Sequence, residues 1–276
     1  MNKTLRSNPG DRNSLNNSAN TSPGARRKQI MNHLIRYGST NIEDLAEKLG
    51  VSRMTIYRDI STLEANSLLI RRRGEVTPTQ QSLSESTSTV RTQTNLKEKA
   101  SIGAAAQAHI RHCKTLLLDD SSTNLALLDY IPQLLPLTIV TNSQFIADEV
   151  KKIHGAHLVL LGGEYVDWAD SYFGDLTIRS LQGIRVDACV MSNNAIAHGK
   201  CYHPDERVAQ LKRAMMRAAH MNILLADNSK FGRSAFYEVS KVTDFDLLIT
   251  DADTPETVLQ ALRKSGMEIE VAASLA

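Results

Sequence analysis

Residues 45–74 read LAEKLGVSRMTIYRDISTLEANSLLIRRRG, and their spacing decides how the N-terminal part of the chain folds. Ile42, Leu45, Ala46 and Leu49 fall at i, i+3, i+4 and i+7, the period of one helix face. Thr40 with Glu43 three residues on has the spacing of a capping box, which satisfies free N–H groups where a helix starts. Gly50 supplies a turn, and Ser52 is placed to cap a further helix whose inner stripe is Ile56, Ile60 and Leu63. Arg53, Thr55, Tyr57 and Arg58 then fall on or near the outer face. Upstream, Ile30, Leu34 and Tyr37 repeat the helical period; downstream, Leu68-Leu69-Ile70 and Arg71-Arg72-Arg73-Gly74 read as a short hairpin with a basic wing.

Charge follows the same division. Lys and Arg outnumber Asp and Glu 13 to 7 over residues 1–78, whereas 19 face 23 over residues 79–276. The basic end suits an anionic partner, since phosphate neutralisation supplies most sequence-independent affinity for DNA; a merely solvated basic surface is the plainer alternative. Two helices joined by a tight Gly-containing turn match the geometry that lays a recognition helix in the major groove of double-stranded DNA. Arg53 and Arg58 would reach guanine edges or phosphates, and Thr55 and Tyr57 a thymine methyl or a phosphate oxygen. Arg71, Arg72 and Arg73 would meet the DNA backbone. A three-helix packing module with a charged rim is the alternative.

The 276 residues, 42% of them hydrophobic, suit two domains. Residues 1–25 hold six Asn and four Ser with almost no large apolar residue and are expected to be disordered. A winged helix-turn-helix is expected over 26–78, a Ser/Thr/Gln-rich linker over 79–96 and an α/β domain over 97–276. Cys113, Cys189 and Cys201 are odd in number and widely spaced, which argues against a disulfide framework and fits a reducing cytoplasm. Neither they nor the histidines show a metal spacing, and no cofactor is expected. No apolar run approaches the roughly 18 residues that a membrane span requires.

Beyond Lys97, short apolar runs each end in polar or Gly residues and lead into a helical stretch: TLLLDDSST (115–123), LTIVTN (137–142), HLVLLGG (157–163), DACVMSN (187–193), NILLADNSKFG (222–232) and DLLITD (246–251). Strands alternating with helices imply a mainly parallel sheet covered on both faces, with ligands outside the carboxyl ends of the strands. Asp120, Ser121, Ser122 and Thr123 open a helix, so backbone N–H groups and hydroxyls there could hold a phosphate. Asp119 and Asp120 are better suited to accept hydrogen bonds from sugar hydroxyls. Asp227 and Lys230 follow another strand, and Asn142, Gly163 and Asn193 complete a rim. For any one tail, ending a strand and nothing more is the stronger reading; six together favour a pocket.

The segment from Leu45 to Gly74 resembles the DeoR-type winged helix-turn-helix, particularly at Val51-Ser52, Thr55-Ile56 and Arg58-Asp59, and departs from it at Tyr57, Asn66 and Glu75. Residues 97–251 are similar to the sensor domain of that family: DDSST stands where it has D.GTT, VTNS and LLGG stand as usual, and ADNSKFG matches its D.SKFG motif. The resemblance implies a fold shared with ribose-5-phosphate isomerase and coenzyme A transferases, a phosphosugar effector, and dimers or tetramers. It places the effector loop at Asp120, Ser121, Ser122 and Thr123, with Asp227 and Lys230 opposite, and an acid at Asp205 or Glu206 followed by Lys212.

Two other classes of function are open to this sequence. Asp119, Asp120, Glu206, Asp227 and Lys230 could serve an isomerase-like enzyme, and a purely architectural protein would bind all duplexes equally. A fused DNA reader favours sensing over turnover, so no catalytic residue is assigned. The expected mechanism is a regulator in which effector binding alters the arrangement of sensor subunits and hence the spacing of two readers on two half-sites.

Overall fold

Pro23 fits the first turn of a helix, where its missing N–H costs nothing, and helix α1 runs Pro23–Tyr37. The computed structural model describes residues 22–65, 69–79, 88–233, 235 and 237–274, so the disorder expected for residues 1–21 lies outside the described residues. Pro23–Ala25, expected to belong to that segment, instead open α1. The chain divides into two units, Met1–Leu83 and Ser84–Ala276.

In the first unit, Ile30 and Leu34 of α1 pack with Ile42, Leu45 and Ala46 of α2 (Ile42–Leu49) and with Ile56, Ile60 and Leu63 of α3 (Arg53–Ala65). The side chain of Tyr37 lies outside the described set. Gly50 ends α2 in the left-handed region at φ 62°, returning its N–H to the last carbonyls of the helix. Ser52 caps α3 as expected, its Oγ accepting the Thr55 N–H at 3.2 Å.

Thr40 does not cap α2. It pairs with Val76 in a two-residue strand, β1 (Thr40–Asn41), and Asn41 precedes the helix with no side-chain cap bond, because ladder pairing with β3 (Glu75–Pro78) takes up this stretch. Strand β2 (Leu69–Arg72) completes an antiparallel sheet in the order β1-β3-β2. The hairpin turns at Arg73 (φ 50°) and Gly74 (φ 84°), two consecutive positive φ values that match strand twist and favour Gly. Leu69 and Val76 close the core; Leu68 lies outside the described residues. The buried Asp59 of α3 accepts a 2.5 Å hydrogen bond from Arg26 Nε, tying α1 to α3.

The second unit is built on seven parallel strands: β4 (Thr115–Leu118), β5 (Leu137–Thr141), β6 (Ala156–Leu160), β9 (Val186–Met191), β12 (Ala219–Ala226), β14 (Leu247–Asp251) and β15 (Ile269–Ala272), ordered β15-β14-β12-β9-β4-β5-β6. Side-chain alternation sorts the strands onto two faces. Leu116, Leu118, Ala188, Val190, Ile223 and Leu225 share one core with Ile102, Ala106 and Ile110 of α5 (Leu96–Ile110). Leu117, Cys189, Met191, Leu224 and Ala226 share the other with Val208, Leu211 and Met215 of α9 (Glu206–Ala218). A hairpin of β7 (Glu164–Val166) and β8 (Ser171–Phe173) and a small antiparallel sheet of β10 (Ala195–Ala197), β11 (Lys200–His203) and β13 (Tyr237–Lys241) complete the unit.

The boundaries expected for the linker need correcting. Ser88–Arg91 forms a helix, α4, and Ser88 N–H donates to the Trp168 carbonyl at 2.8 Å, so residues 88–96 are built into the second unit although their composition is that of a loop. In the first unit, we expect Asp59→Ala, which removes the buried carboxylate that pairs with Arg26, to lower the unfolding free energy by about 3 kcal/mol in chemical denaturation; a loss below about 0.5 kcal/mol would show that the pair does not hold α1 to α3.

Candidate effector site and nucleic-acid interface

Strand β4 lies between β5 and β9, and the chain runs outward from it in both directions, so the crevice between β4 and β9 is the topological switch point of the sheet. Loops leaving the ends of β4 and β9 bring buried polar groups together there. Asp119, directly after β4, is buried, and its carboxylate accepts the N–H of Ser121 (3.0 Å), the N–H of Ser192 (3.2 Å) and Asn124 Nδ2 (2.9 Å). It also forms an ion pair with Lys212 of α9, which donates in addition to the Ser192 carbonyl at 2.9 Å and lies 3.9 Å from Asp120. Burial pulls the Lys212 pKa down, but Asp119 and Asp120 outweigh it and raise the value above that of an ordinary lysine.

Lys212 therefore takes its carboxylates from the β4 loop, not from the start of its own helix. Asp205 caps α9 by accepting the Arg207 N–H at 2.8 Å and pairs with the Arg207 guanidinium at 2.8 Å, and Glu206 is exposed and bonded to Gln210. Asp120 accepts from Arg91 Nη1 and Nη2 at 3.3 and 3.4 Å. Burial raises the pKa of this carboxyl, yet Lys212 and Arg91 bring it below the ordinary value.

The other half of the site lies at the ends of α4 and β12. Asp227 is fully buried; Oδ1 accepts from Asn95 Nδ2 at 2.8 Å and from Ser229, while Oδ2 has no hydrogen-bond partner among the described residues. The Lys230 side chain makes no hydrogen bond or ion pair with the described residues, its backbone N–H donating to the Asp227 carbonyl at 3.0 Å, and burial depresses its pKa despite the opposing pull of Asp227. Lys99 of α5 donates only to neutral oxygens, the Arg91 carbonyl (2.5 Å), the Thr94 carbonyl (2.8 Å) and Ser122 Oγ (2.9 Å). Its pKa is pushed down to about 8, chiefly by burial and then by Lys230. Four cations, Arg91, Lys99, Lys212 and Lys230, thus face three carboxylates, Asp119, Asp120 and Asp227.

Of the residues expected at the rim, Ser121, Asn193 and Asp227 each carry a buried polar atom without a partner among the described residues, as does Ser192. Such groups are costly unless something satisfies them. Ser122 is bound to Lys99, and Thr123 begins α6 (Thr123–Leu128). The anion site expected at the start of α6 is smaller than the sequence suggests, because the N–H groups of Asn124 and Leu125 already donate to the carbonyls of Ser121 and Ser122. Asn142 donates through Nδ2 to the Tyr172 carbonyl at 3.0 Å, anchoring β8. Gly163 serves packing: a Cβ there would lie 2.0 Å from Thr177 Oγ1 and 2.7 Å from the Phe173 carbonyl. Arg91, Asn95 and Lys99 were not expected; the signal available was the cationic and amide side chains within an otherwise loop-like stretch.

His203, at the end of β11, is also buried beside this cluster. Its Nδ1 lies 3.0 Å from the Asp205 backbone nitrogen and 3.2 Å from the Asp205 carbonyl oxygen. Burial, followed by Lys212, holds its pKa near 4.

On the first unit, α3 and the wing present Ser52, Arg53, Arg58, Arg72 and Arg73 to solvent, with Thr55 half-buried. Arg53 lies 3.7 Å from Glu43 in an exposed pair. Tyr57, expected on or near the outer face, and Arg71, expected in the basic wing, make contacts within the unit. The Tyr57 ring packs on the core, Arg71 lies over it at 5.7 Å, and Arg71 also pairs with Glu64 at 3.8 Å.

A helix-turn-helix with a basic wing, joined to a sheet with a charged crevice at its switch point, defines a DNA-binding transcriptional regulator with a ligand-sensing domain. The family profile described as the DeoR C terminal sensor domain matches residues 94–252, and one described as an HTH domain matches residues 26–74. The chain belongs to the DeoR family of transcriptional regulators. It is 28% identical to the putative aga operon transcriptional repressor of Escherichia coli O157:H7, over 90% of this chain and 94% of that one. To the HTH-type transcriptional repressor GlcR of Bacillus subtilis (strain 168) it is 30% identical, over 88% and 93%. To the glycerol-3-phosphate regulon repressor of Escherichia coli (strain K12) it is 26% identical, over 89% and 98%. No helix among the described residues is long and apolar enough to cross a membrane.

His203 makes the second unit sensitive to acid. Below pH 6.5 the unfolded imidazole takes up a proton that the folded one refuses until about pH 4. The stability associated with the neutral ring is therefore complete above pH 6.5 and is lost as the pH falls through that window. We expect wild type to lose about 3 kcal/mol more across it than His203→Gln does, measured by denaturant titration at successive pH values; equal slopes would refute this.

Proposed function

We propose that this protein is a repressor of a carbohydrate operon, released from its operator by a phosphorylated sugar bound at the β4–β9–β12 crevice. One observation carries this reading: Lys99 and Lys230 bring positive charge into the crevice without a carboxylate hydrogen-bonded to either, and beside them the Asp227 Oδ2 atom has no partner among the described residues. A phosphate supplies the missing negative charge, and a sugar hydroxyl supplies the donor that Asp227 needs. Ser121, Ser122, Thr123 and Asn193 line the space between, with Asn142 and Gly163 shaping the adjoining loops. The relatives named for aga, glycerol-3-phosphate and GlcR repression support the repressor sign. Asp120 and Asp227 are both held below the usual carboxylate range, the state of hydrogen-bond acceptors and not of bases poised near neutral pH.

Operator contact falls to Ser52, Arg53, Thr55 and Arg58 on α3 and to Arg72 and Arg73 on the wing, with Tyr57 and Arg71 bracing that surface. The protein works in the cytoplasm as a homo-oligomer, so that two readers meet two half-sites. Arg91 and Asn95 give the effector its leverage. They belong to the segment that follows the reader in the chain, yet they bind Asp120 and Asp227 in the crevice. A ligand that competes for those carboxylates changes what holds this segment, and only such a difference in affinity between states can shift the equilibrium.

Fluorescence anisotropy on duplexes from upstream of its own and neighbouring genes, titrated with phosphorylated and free sugars, tests the proposal. We expect one phosphosugar to release wild type. Lys230→Met should retain operator affinity but need at least tenfold more effector, about 1.4 kcal/mol for one charge-assisted contact. Release by unphosphorylated sugars alone, or by none of the panel, would overturn the phosphosugar assignment.

A further inference from the structure

Along α3 the residues Met54, Arg58, Ser61 and Ala65 are all exposed, at i, i+4, i+7 and i+11, opposite the buried Ile56, Ile60 and Leu63. Met54 is 66% exposed, which is high for a large apolar side chain. A single exposed hydrophobic residue is ordinary on a protein surface; the surroundings set this one apart. It lies in the first turn of α3, next to Arg53 and one turn before Arg58. The only two carboxylates of α3 are withdrawn from this face, Asp59 by Arg26 and Glu64 by Arg71. The face is consequently a strip of arginine, methionine and serine to which α3 itself contributes no free acid, the neighbouring carboxylate being Glu43 of α2, 3.7 Å from Arg53 in an exposed pair.

We infer that Met54 is a base-reading residue, packing its thioether chain against the 5-methyl group of a thymine in the operator major groove. The inference rests on the reading of α3 as the recognition helix and adds to it an apolar contact in its first turn. The chemistry matches: thymine is the one base that presents a methyl group in the major groove, and an unbranched, polarisable side chain adapts to it without a fixed hydrogen-bond direction. Arg53 and Arg58 flank Met54 and supply the contacts to guanine edges and phosphates that hold the helix in register. Tyr57, the aromatic side chain that the sequence offers for a methyl contact, is taken up by the core and by Arg71.

The test uses the full-length protein. Wild type and Met54→Ala are each carried through selection from random duplexes, and the enriched site is then resynthesised with deoxyuridine replacing thymidine one position at a time, which removes only the methyl group. We expect one thymine position at which deoxyuridine weakens wild type about three- to tenfold while leaving Met54→Ala unchanged, and at which selection with the variant no longer prefers thymine. Met54→Gln should shift that position toward adenine. Because Met54 is exposed, these variants should retain the wild-type unfolding midpoint. Equal sensitivity of wild type and Met54→Ala at every thymine, or an enriched site whose base preferences Met54→Ala leaves intact, overturns the inference. Failure of wild type to enrich any sequence would overturn the reading of α3 as a recognition helix instead.

Discussion

The ion pair between Asp119 and Lys212 is the constraint on which the sensor depends. Two charges have been moved out of water at the point where the sheet changes direction, and neither is tolerable there without the other. Their geometry is fixed from several sides: the Asp119 carboxylate takes backbone N–H groups from both the β4 and β9 loops, and Lys212 reaches back to the Ser192 carbonyl. The pair therefore joins α9 to the two parallel strands that flank the switch point. It also sets the shape of the crevice into which Ser121, Ser192 and Asn193 present their unpartnered atoms.

Around that pair the site is assembled as an unequal balance of charge. Asp119 and Asp120 are satisfied within the fold by Lys212 and Arg91, whereas Lys99 and Lys230 are left without a bonded carboxylate. With four cations against three carboxylates, and neither Lys99 nor Lys230 hydrogen-bonded to a carboxylate, the site keeps an excess of positive charge that suits an anionic ligand. The same economy recurs in the reader, where Asp59 and Glu64 are consumed by Arg26 and Arg71 and α3 leaves no carboxylate of its own on its outer face. In both units internal ion pairs decide which charges are left to meet a partner.

The course of the chain between the units links these two balances. Residues 88–96 have the composition of a linker, yet Arg91, Asn95 and the nearby Lys99 complete the crevice. The opening segment of the second unit is thereby held by the carboxylates Asp120 and Asp227.

Much of this was legible in residue order, because periodicity is a local property. The stripes of α2 and α3, the Gly50 turn, the Ser52 cap and six strands ending in polar tails follow from spacing alone, and with them the two-unit regulator architecture. Tertiary contacts decided the rest. Thr40 was drawn from a cap into a strand by Val76, Tyr57 was covered by Arg71, Gly163 was required by the approach of Thr177, and Lys212 found its carboxylates 93 and 92 positions earlier in the chain. A sequence states which side chains carry charge. Which of those charges are spent on one another depends on distances that exist only once the chain has closed on itself.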